Sequence, residues 1–280
     1  MPTTAEKRAV FRRLHESGCF VIPNPWDAGS ARYLQGLGFK ALASTSSGAA
    51  WSMGAPDNGI TLDLAIAHIR ALAEATDLPL NADFEDGFAA NAEEVARHVG
   101  RCLETGVAAL SIEDSTGDSA RPLFELSEAV DRLRAARGAI DESGGGALLV
   151  GRAECFLTGH PQPLDEAIRR LRAYAEAGAD VLYAPGLRTP QEIAAVVGAV
   201  APKPVSVLAF AGMTVAELAD LGVRRISVGG ALARAAWAGF IRAAREIAQA
   251  GTFKALGEAA PGAELNRFFV EDLARRRERT

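Results

Sequence analysis

The chain has 280 residues, of which 49% are hydrophobic and 23% charged, the profile of a packed globular protein rather than a disordered one. Its formal net charge of −5 argues against the basic footprint of a nucleic-acid binder, and no run of about 18 apolar residues is present to span a membrane. Three widely spaced cysteines, Cys19, Cys102 and Cys155, suit neither a disulfide framework nor a zinc ribbon and fit a reducing cytoplasm.

The opening stretch MPTTAEKRAVFRRLHESG is charged and polar, without the apolar segment of an export signal. Beyond it, eight short apolar or β-branched runs recur: CFVIPN (19–24), ALAST (41–45), LPLNADF (78–84), AALSIED (108–114), ALLVGRAE (147–154), DVLYAPG (180–186), PVSVLA (204–209) and RISVGG (225–230). Between them lie stretches such as LDLAIAHIRALAEAT, NAEEVARHVGRCLETG and LDEAIRRLRAYAEAG, with apolar residues three and four apart. Strands alternating with amphipathic helices predict a parallel sheet, and the repeat predicts a (β/α)8 TIM-type barrel. The nearly continuous apolar character of the runs fits strands covered on both faces. No Pro-rich linker interrupts the chain, and the three glycines at 144–146 read as a loop, so residues 1–280 are expected to form one domain. GTFKALGEA and LNRFFVEDLARRRER predict extra C-terminal helices, a tail over 251–280 that packs on its own barrel or on a neighbouring subunit. The basic run Arg275, Arg276, Arg277 and Arg279 reads as a solvated helix end or a subunit contact.

Barrel enzymes hold their active sites at the C-terminal ends of the strands, which directs attention to the polar residues there. They include Asn24, Trp26 and Asp27; Ser44 to Gly48; Asn81, Asp83, Glu85 and Asp86; Glu113 and Asp114; Arg152 and Glu154. Strand alternation places Asn81 and Asp83 on one face, beside Glu113 from the next strand. Oxygen donors of this kind suit a hard cation such as Mg²⁺; the alternative is that the acids cap helices or pair with Arg152. Arg152 closes a buried-looking strand and needs anions, which Glu154 or a substrate carboxylate would supply. The small-residue loop STSSGAAWSMGAPDNG (44–59) offers backbone N–H groups to an oxyanion, though such loops are also ordinary turns. Trp26 either lines the pocket or packs. His68 and His98 fall in helical patterns, and Trp237 and Phe240 pack the last barrel helix.

At these residues the sequence resembles the isocitrate lyase and phosphoenolpyruvate mutase superfamily, from about residue 10 to about residue 260. The resemblance rests on NPWDAGSARYLQGLGFKALASTSSG (24–48), MGAPDNG (53–59), NADFEDGF (81–88), SIEDS (111–115), VGRAECF (150–156), AGADVLYAPG (177–186) and GVRRISVGG (222–230), all in order. It implies a Mg²⁺ shell, with Mn²⁺ as a substitute, built on Asp83 and Glu113 with Asn81 and Glu85. It also implies that Ser46, Ser47, Gly48 and Ala49 hold the substrate carboxylate or oxo oxygen, that Arg152 holds the anionic end, and that Asp57 stands at the entrance as a catalytic group. A small carboxylate substrate and a homo-oligomer, dimer or tetramer with last helices swapped between subunits, are carried over in the same way.

Two departures from the family pattern bear on the reaction. Asn81 stands where the family carries the first acid of an Asp-x-Asp pair, which removes one charge from the metal shell. The segment DSTGDSARPLFEL after Glu113 lacks the Lys-Lys-Cys-Gly-His loop of isocitrate and methylisocitrate lyases, so none of the three cysteines is a catalytic acid. The expected reaction is cleavage of a carbon–carbon bond in a 2-oxo or 2-hydroxy dicarboxylate through an enolate, by a lyase or a decarboxylase. Asp57, Asp118 or a metal-bound water would move the proton. Phosphonate chemistry is the runner-up, disfavoured because Arg121 is the sole cation read near the lid. A binding protein for 2-oxo acids without catalysis is the third reading.

Overall fold

The computed structural model describes residues 2–278, so Arg279 of the basic run lies outside the described residues. Eight strands form within the eight runs: β1 (Phe20–Ile22), β2 (Leu42–Ala43), β3 (Leu80–Asp83), β4 (Ala109–Glu113), β5 (Leu148–Arg152), β6 (Val181–Tyr183), β7 (Val205–Leu208) and β8 (Arg225–Ser227). The helices are α1 (Thr4–Leu14), α2 (Ala28–Gly36), α3 (Ser46–Ser52), α4 (Leu62–Ala75), α5 (Ala92–Leu103), α6 (Leu126–Glu142), α7 (Pro163–Glu176), α8 (Pro190–Val200), α9 (Val215–Asp220), α10 (Ala231–Ala250) and α11 (Gly262–Arg277). All strand pairs are parallel, in the order β1-β8-β7-β6-β5-β4-β3-β2. The Ala43 amide donates to the Pro23 carbonyl at 3.1 Å and draws the two ends of the sheet together. The result is a nearly closed (β/α)8 TIM-type barrel.

Local chemistry explains where the helices begin. Asp27, Thr45, Asn91, Thr189 and Thr214 each accept a hydrogen bond from the third helical amide of α2, α3, α5, α8 and α9, filling an orphan donor of the first turn. In α5 the buried residues Val95, Val99, Cys102 and Leu103 recur at helical spacing, so one stripe faces the sheet. β4 is buried at all five positions, as expected of a strand sandwiched between the barrel interior and the helix layer.

What closes the barrel decides where a site can form. A small apolar cluster inside the strands contains Phe11, Ile22, Ala109, Val150 and Val181. Phe11, fully buried, comes from α1 and is flanked by His15 at a ring separation of 4.7 Å and by Phe20 at 6.5 Å. Burying such a ring contributes roughly 2–3 kcal/mol, so α1 acts as an apolar plug at the N-terminal end of the barrel. The opposite end stays open above small residues such as Ala43, Ser44 and Ser111.

The last two helices follow a different logic. In α10 only Ala233 is buried, while Phe240, Ile241 and Ile247 are exposed. In α11 Asp272 is buried and accepts two hydrogen bonds from Arg32 of α2, and Phe268 packs on Tyr33 at 4.8 Å. Gly36 makes that packing possible, because a Cβ there would lie 2.4 Å from the Phe268 ring. No helix among the described residues is long and apolar enough to cross a membrane.

Candidate active site

The open end of the barrel holds a cavity of about 610 Å³, lined by strand ends and by the loops that follow them. Asp83, at the end of β3, accepts from the Ser46 amide at 3.0 Å and the Ser46 hydroxyl at 2.9 Å through Oδ2. Its Oδ1 accepts from Arg152 Nη1 at 3.1 Å. The parallel register sets Glu113 beside Arg152, and Glu113 Oε2 lies 2.9 Å from the same Nη1. Arg152 Nε donates to Glu154 Oε1. One guanidinium is thus held by three carboxylates, so the pairing alternative read from the sequence is realised.

Three acids around one cation leave unbalanced negative charge in a poorly solvated place. Burial, eased by Arg152, holds the Glu113 carboxyl well above the ordinary carboxylate range, and burial, likewise eased by Arg152, raises that of Glu154. Burial opposes the charge on Arg152 too, but Glu113, Glu154 and Asp83 outweigh it and keep the guanidinium firmly protonated. Asp57 lines the same cavity, and its carboxyl is raised first by burial and then by the charge of Asp83. Glu85 is the most perturbed acid on the β3 loop. Burial, followed by Asp83, Asp57 and Asp86, pushes it up to about 8, its Oε1 is buried without a hydrogen-bond partner, and its φ of 46° is left-handed. A left-handed non-glycine costs of order 1–3 kcal/mol, which the surrounding loop must hold in place.

Among the described residues, no group of three or more acids, histidines or cysteines is arranged to hold a metal ion. Mg²⁺ does not require one, since it keeps several waters and binds through one or two carboxylates. The orphaned Glu85 oxygen and the mutual strain of Asp57, Asp83 and Glu85 are what a divalent cation would relieve, so the residues fit. Asn81 is placed differently from expectation: its Oδ1 accepts from Arg225 Nη1 at 3.3 Å and its Nδ2 donates to the Ala82 carbonyl at 3.0 Å. An amide oxygen engaged by a guanidinium is a wall residue here, not an open ligand.

The 44–59 stretch, read as a loop, instead opens with a helix: residues 44–49 are the entry and first turn of α3. Ser46 and Ser47 line the cavity, while the Gly48 amide donates to the Thr45 cap at 3.2 Å and the Ala49 amide to the Thr45 carbonyl at 3.0 Å. Ala49 is fully buried, and a Cβ on Gly48 would meet Trp26 at 3.1 Å and Ala233 at 3.2 Å. Trp26 itself borders a separate apolar groove with Trp237 and Phe240, and Trp51 takes the position in the cavity wall. His68 does not line the cavity; its Nε2 donates to the Trp26 carbonyl at 2.9 Å.

The segment after β4 folds on itself, with Ser115 bridging Leu123 and the Thr116 amide donating to the Pro122 carbonyl at 3.1 Å. Asp118 accepts from the Ala120 amide within that turn, and Arg121 lies 3.6 Å from Glu128. Arg121 is therefore not the cation nearest the chemistry. Arg188, Arg225 and Arg234 line the cavity instead, along with Tyr183 and Phe210. One signal was available, because Arg225 alternates with Ser227 on the inward face of β8; Arg188 and Arg234 sit in a loop and a helix turn whose direction only packing sets.

The family model described as phosphoenolpyruvate phosphomutase matches residues 11–248. A provisionally described lyase/mutase from Burkholderia cenocepacia J2315 shares 46% identity, covers 95% of this chain and 97% of its own, and superposes with a TM-score of 0.91. Oxaloacetate decarboxylase of Paraburkholderia xenovorans (strain LB400) is 31% identical over 234 residues, 80% of this chain and 75% of that protein. A phosphonopyruvate hydrolase solved with oxalate and Mg²⁺ has 26% identity, covers 98% of this chain and 96% of its own, and has a TM-score of 0.83.

Proposed function

The chain belongs to the phosphoenolpyruvate phosphomutase family, within the isocitrate lyase and phosphoenolpyruvate mutase superfamily of enzymes, and from that premise we propose that it is a Mg²⁺-dependent carbon–carbon lyase or decarboxylase. Its substrate is a small 2-oxo or 2-hydroxy dicarboxylate, cleaved by way of an enolate. The observation that carries this reading is the pair Asp57 and Asp83 on the wall of a cavity that Ser46 and Ser47 also line, backed by Glu85 and Glu113. Asp83 and Glu85 would hold Mg²⁺, with Asp57 and Glu113 reaching its waters. When bound, the ion supplies Lewis-acid polarisation of the oxo group and screens charge that develops on it.

The protein's own groups do the rest. The Ser47 hydroxyl donates to the substrate carboxylate and fixes its orientation, while Ser46 beside it holds Asp83 through its amide and hydroxyl. Arg152, anchored by Glu113 and Glu154, holds Asp83 in place beside the 2-oxo acid head. Asp57, protonated more readily than an ordinary aspartate, passes a proton to or from the substrate at its carboxyl. Phosphonate chemistry is the second reading, and the arginines at the cavity mouth favour it more than the sequence did, since a phosphoryl group needs such donors. The exposed apolar side chains of α10 and α11 support a homo-oligomer, dimer or tetramer, and residues 1–280 are taken as one barrel domain acting in the cytoplasm.

The test is NMR of the purified protein with Mg²⁺ and oxaloacetate, 2-methylisocitrate, dimethylmalate and phosphonopyruvate, against protein-free controls at the same Mg²⁺. Turnover of a carbon–carbon substrate above the control, stopped by chelation and lowered about a hundredfold or more in Asp83→Ala, is expected. Turnover of phosphonopyruvate alone selects the second reading, and no turnover of any member defeats both.

A further inference from the structure

The charges facing the cavity are separated. Asp57 and Asp83 stand on the side formed by β2 and β3, backed by Glu85, Glu113 and Glu154, and Arg152 there is already neutralised by three carboxylates. The other side carries Arg188 after β6, Arg225 on β8 and Arg234 in the first turns of α10. Among the described residues, none of these three arginines forms an ion pair.

Arg225 is the most informative of them. It is 3% exposed, and its side chain donates to neutral groups, Ser206 Oγ at 3.0 Å and Asn81 Oδ1 at 3.3 Å. A buried guanidinium without a counter-ion is costly unless an anion completes its surroundings. Asn81 matters here, because an aspartate at that position would have neutralised Arg225 from within the protein. Above it, the Arg188 guanidinium lies 5.4 Å from the Phe210 ring centroid, and Phe210 also lines the cavity. An aromatic support of that kind restrains an arginine at the cavity mouth without consuming its charge.

We infer that Arg188 and Arg234, with Arg225 beneath them, form a subsite for a second carboxylate on the substrate, carried by the fragment on the far side from the 2-oxo acid head. The inference rests on the enolate and dicarboxylate reading for the position of the head, and it adds which residues of this chain hold the second, distal charge. In a lyase reaction the second fragment keeps its carboxylate among the arginines while the head stays with the acids; in a decarboxylation the distal carboxylate itself leaves as CO₂ and the electron pair of the broken bond stays on the head as the enolate.

Calorimetry with Mg²⁺ and matched ligand pairs tests this: oxaloacetate against 2-oxobutanoate, and 2-oxoglutarate against 2-oxopentanoate, each pair differing by the distal carboxylate. The parent chain should prefer the dicarboxylate of at least one pair by roughly tenfold or more. The Arg188→Gln, Arg234→Gln double variant should reduce that preference to near one while oxalate, a head-only ligand, binds within about twofold of the parent. Both side chains are exposed, and an unchanged thermal melt certifies the variant's fold. No preference in the parent, or a preference that survives in the double variant, overturns the subsite. If oxalate fails to bind the parent, the enolate reading falls separately; arginine-dependent discrimination of succinate from butanoate would then still support the subsite, and its absence would end it.

Discussion

Glu85 gathers three stresses at one residue: a left-handed backbone, a buried oxygen without a partner and a carboxyl pushed up to about 8. Its folded value lies above the ordinary 4.5, so between those values the folded chain binds a proton that the unfolded chain has released. Stability from this group is full below about 4.5 and is lost as pH rises through about 8. In chelator, Glu85→Gln should therefore raise the melting temperature at pH 8.5 and change it little at pH 4, where Glu85 is protonated in both states. An equal effect at the two pH values would mean that the amide acts through packing. Arg152 teaches a related point: with three carboxylates in contact it positions the acid cluster, and it has little charge left for a ligand.

At the scale of elements, the loop between β3 and α5 is held from outside the barrel. Arg132 of α6 is 1% exposed and donates through Nη1 to the carbonyls of Asp86 at 3.1 Å and Ala89 at 3.0 Å. Its guanidinium lies 3.8 Å from the Phe124 ring centroid. Arg132→Met would keep the volume and orphan both carbonyls, at a cost of about 2–4 kcal/mol in urea unfolding. Mg²⁺ binding should weaken in the same variant, because the loop carries Asp83 and Glu85 at its start. A variant with unchanged metal affinity would show that the loop holds its shape without the clamp. On the other side of the site, the Asp114 carboxylate accepts from Tyr174, from Arg170 and from the Glu154 amide, so α7 fixes the residue that anchors Arg152.

For the whole molecule, the open end of the barrel is the place where binding and stability meet. An ion and an anion that bind only the folded chain stabilise it by mass action, about 2.7 kcal/mol at a hundredfold excess over Kd. For a chain of this size that corresponds to a rise in melting temperature of roughly 5–10 °C with Mg²⁺ and oxalate together. Oxalate without Mg²⁺ should give a much smaller rise, because its charge would meet the acids unscreened. Equal shifts with and without Mg²⁺ would remove the ion from the head-binding site.

The sequence by itself determined the barrel. Each apolar run was short, each was followed by a capped amphipathic stretch, and local periodicity of this kind survives whatever the rest of the chain does. It also determined which strand ends carry acids, since alternation along β3 and β4 fixes Asp83 and Glu113 toward the interior. Tertiary structure decided how those groups are spent: that Arg152 is shared by three carboxylates, that Asn81 serves Arg225, that Trp51 and not Trp26 faces the cavity, and that Gly48 and Ala49 belong to a helix turn. It alone brought Arg188 and Arg234 to the mouth. The physical reason is that a strand sets side-chain direction by its own pleat, whereas a loop or helix residue points where packing against distant parts of the chain allows.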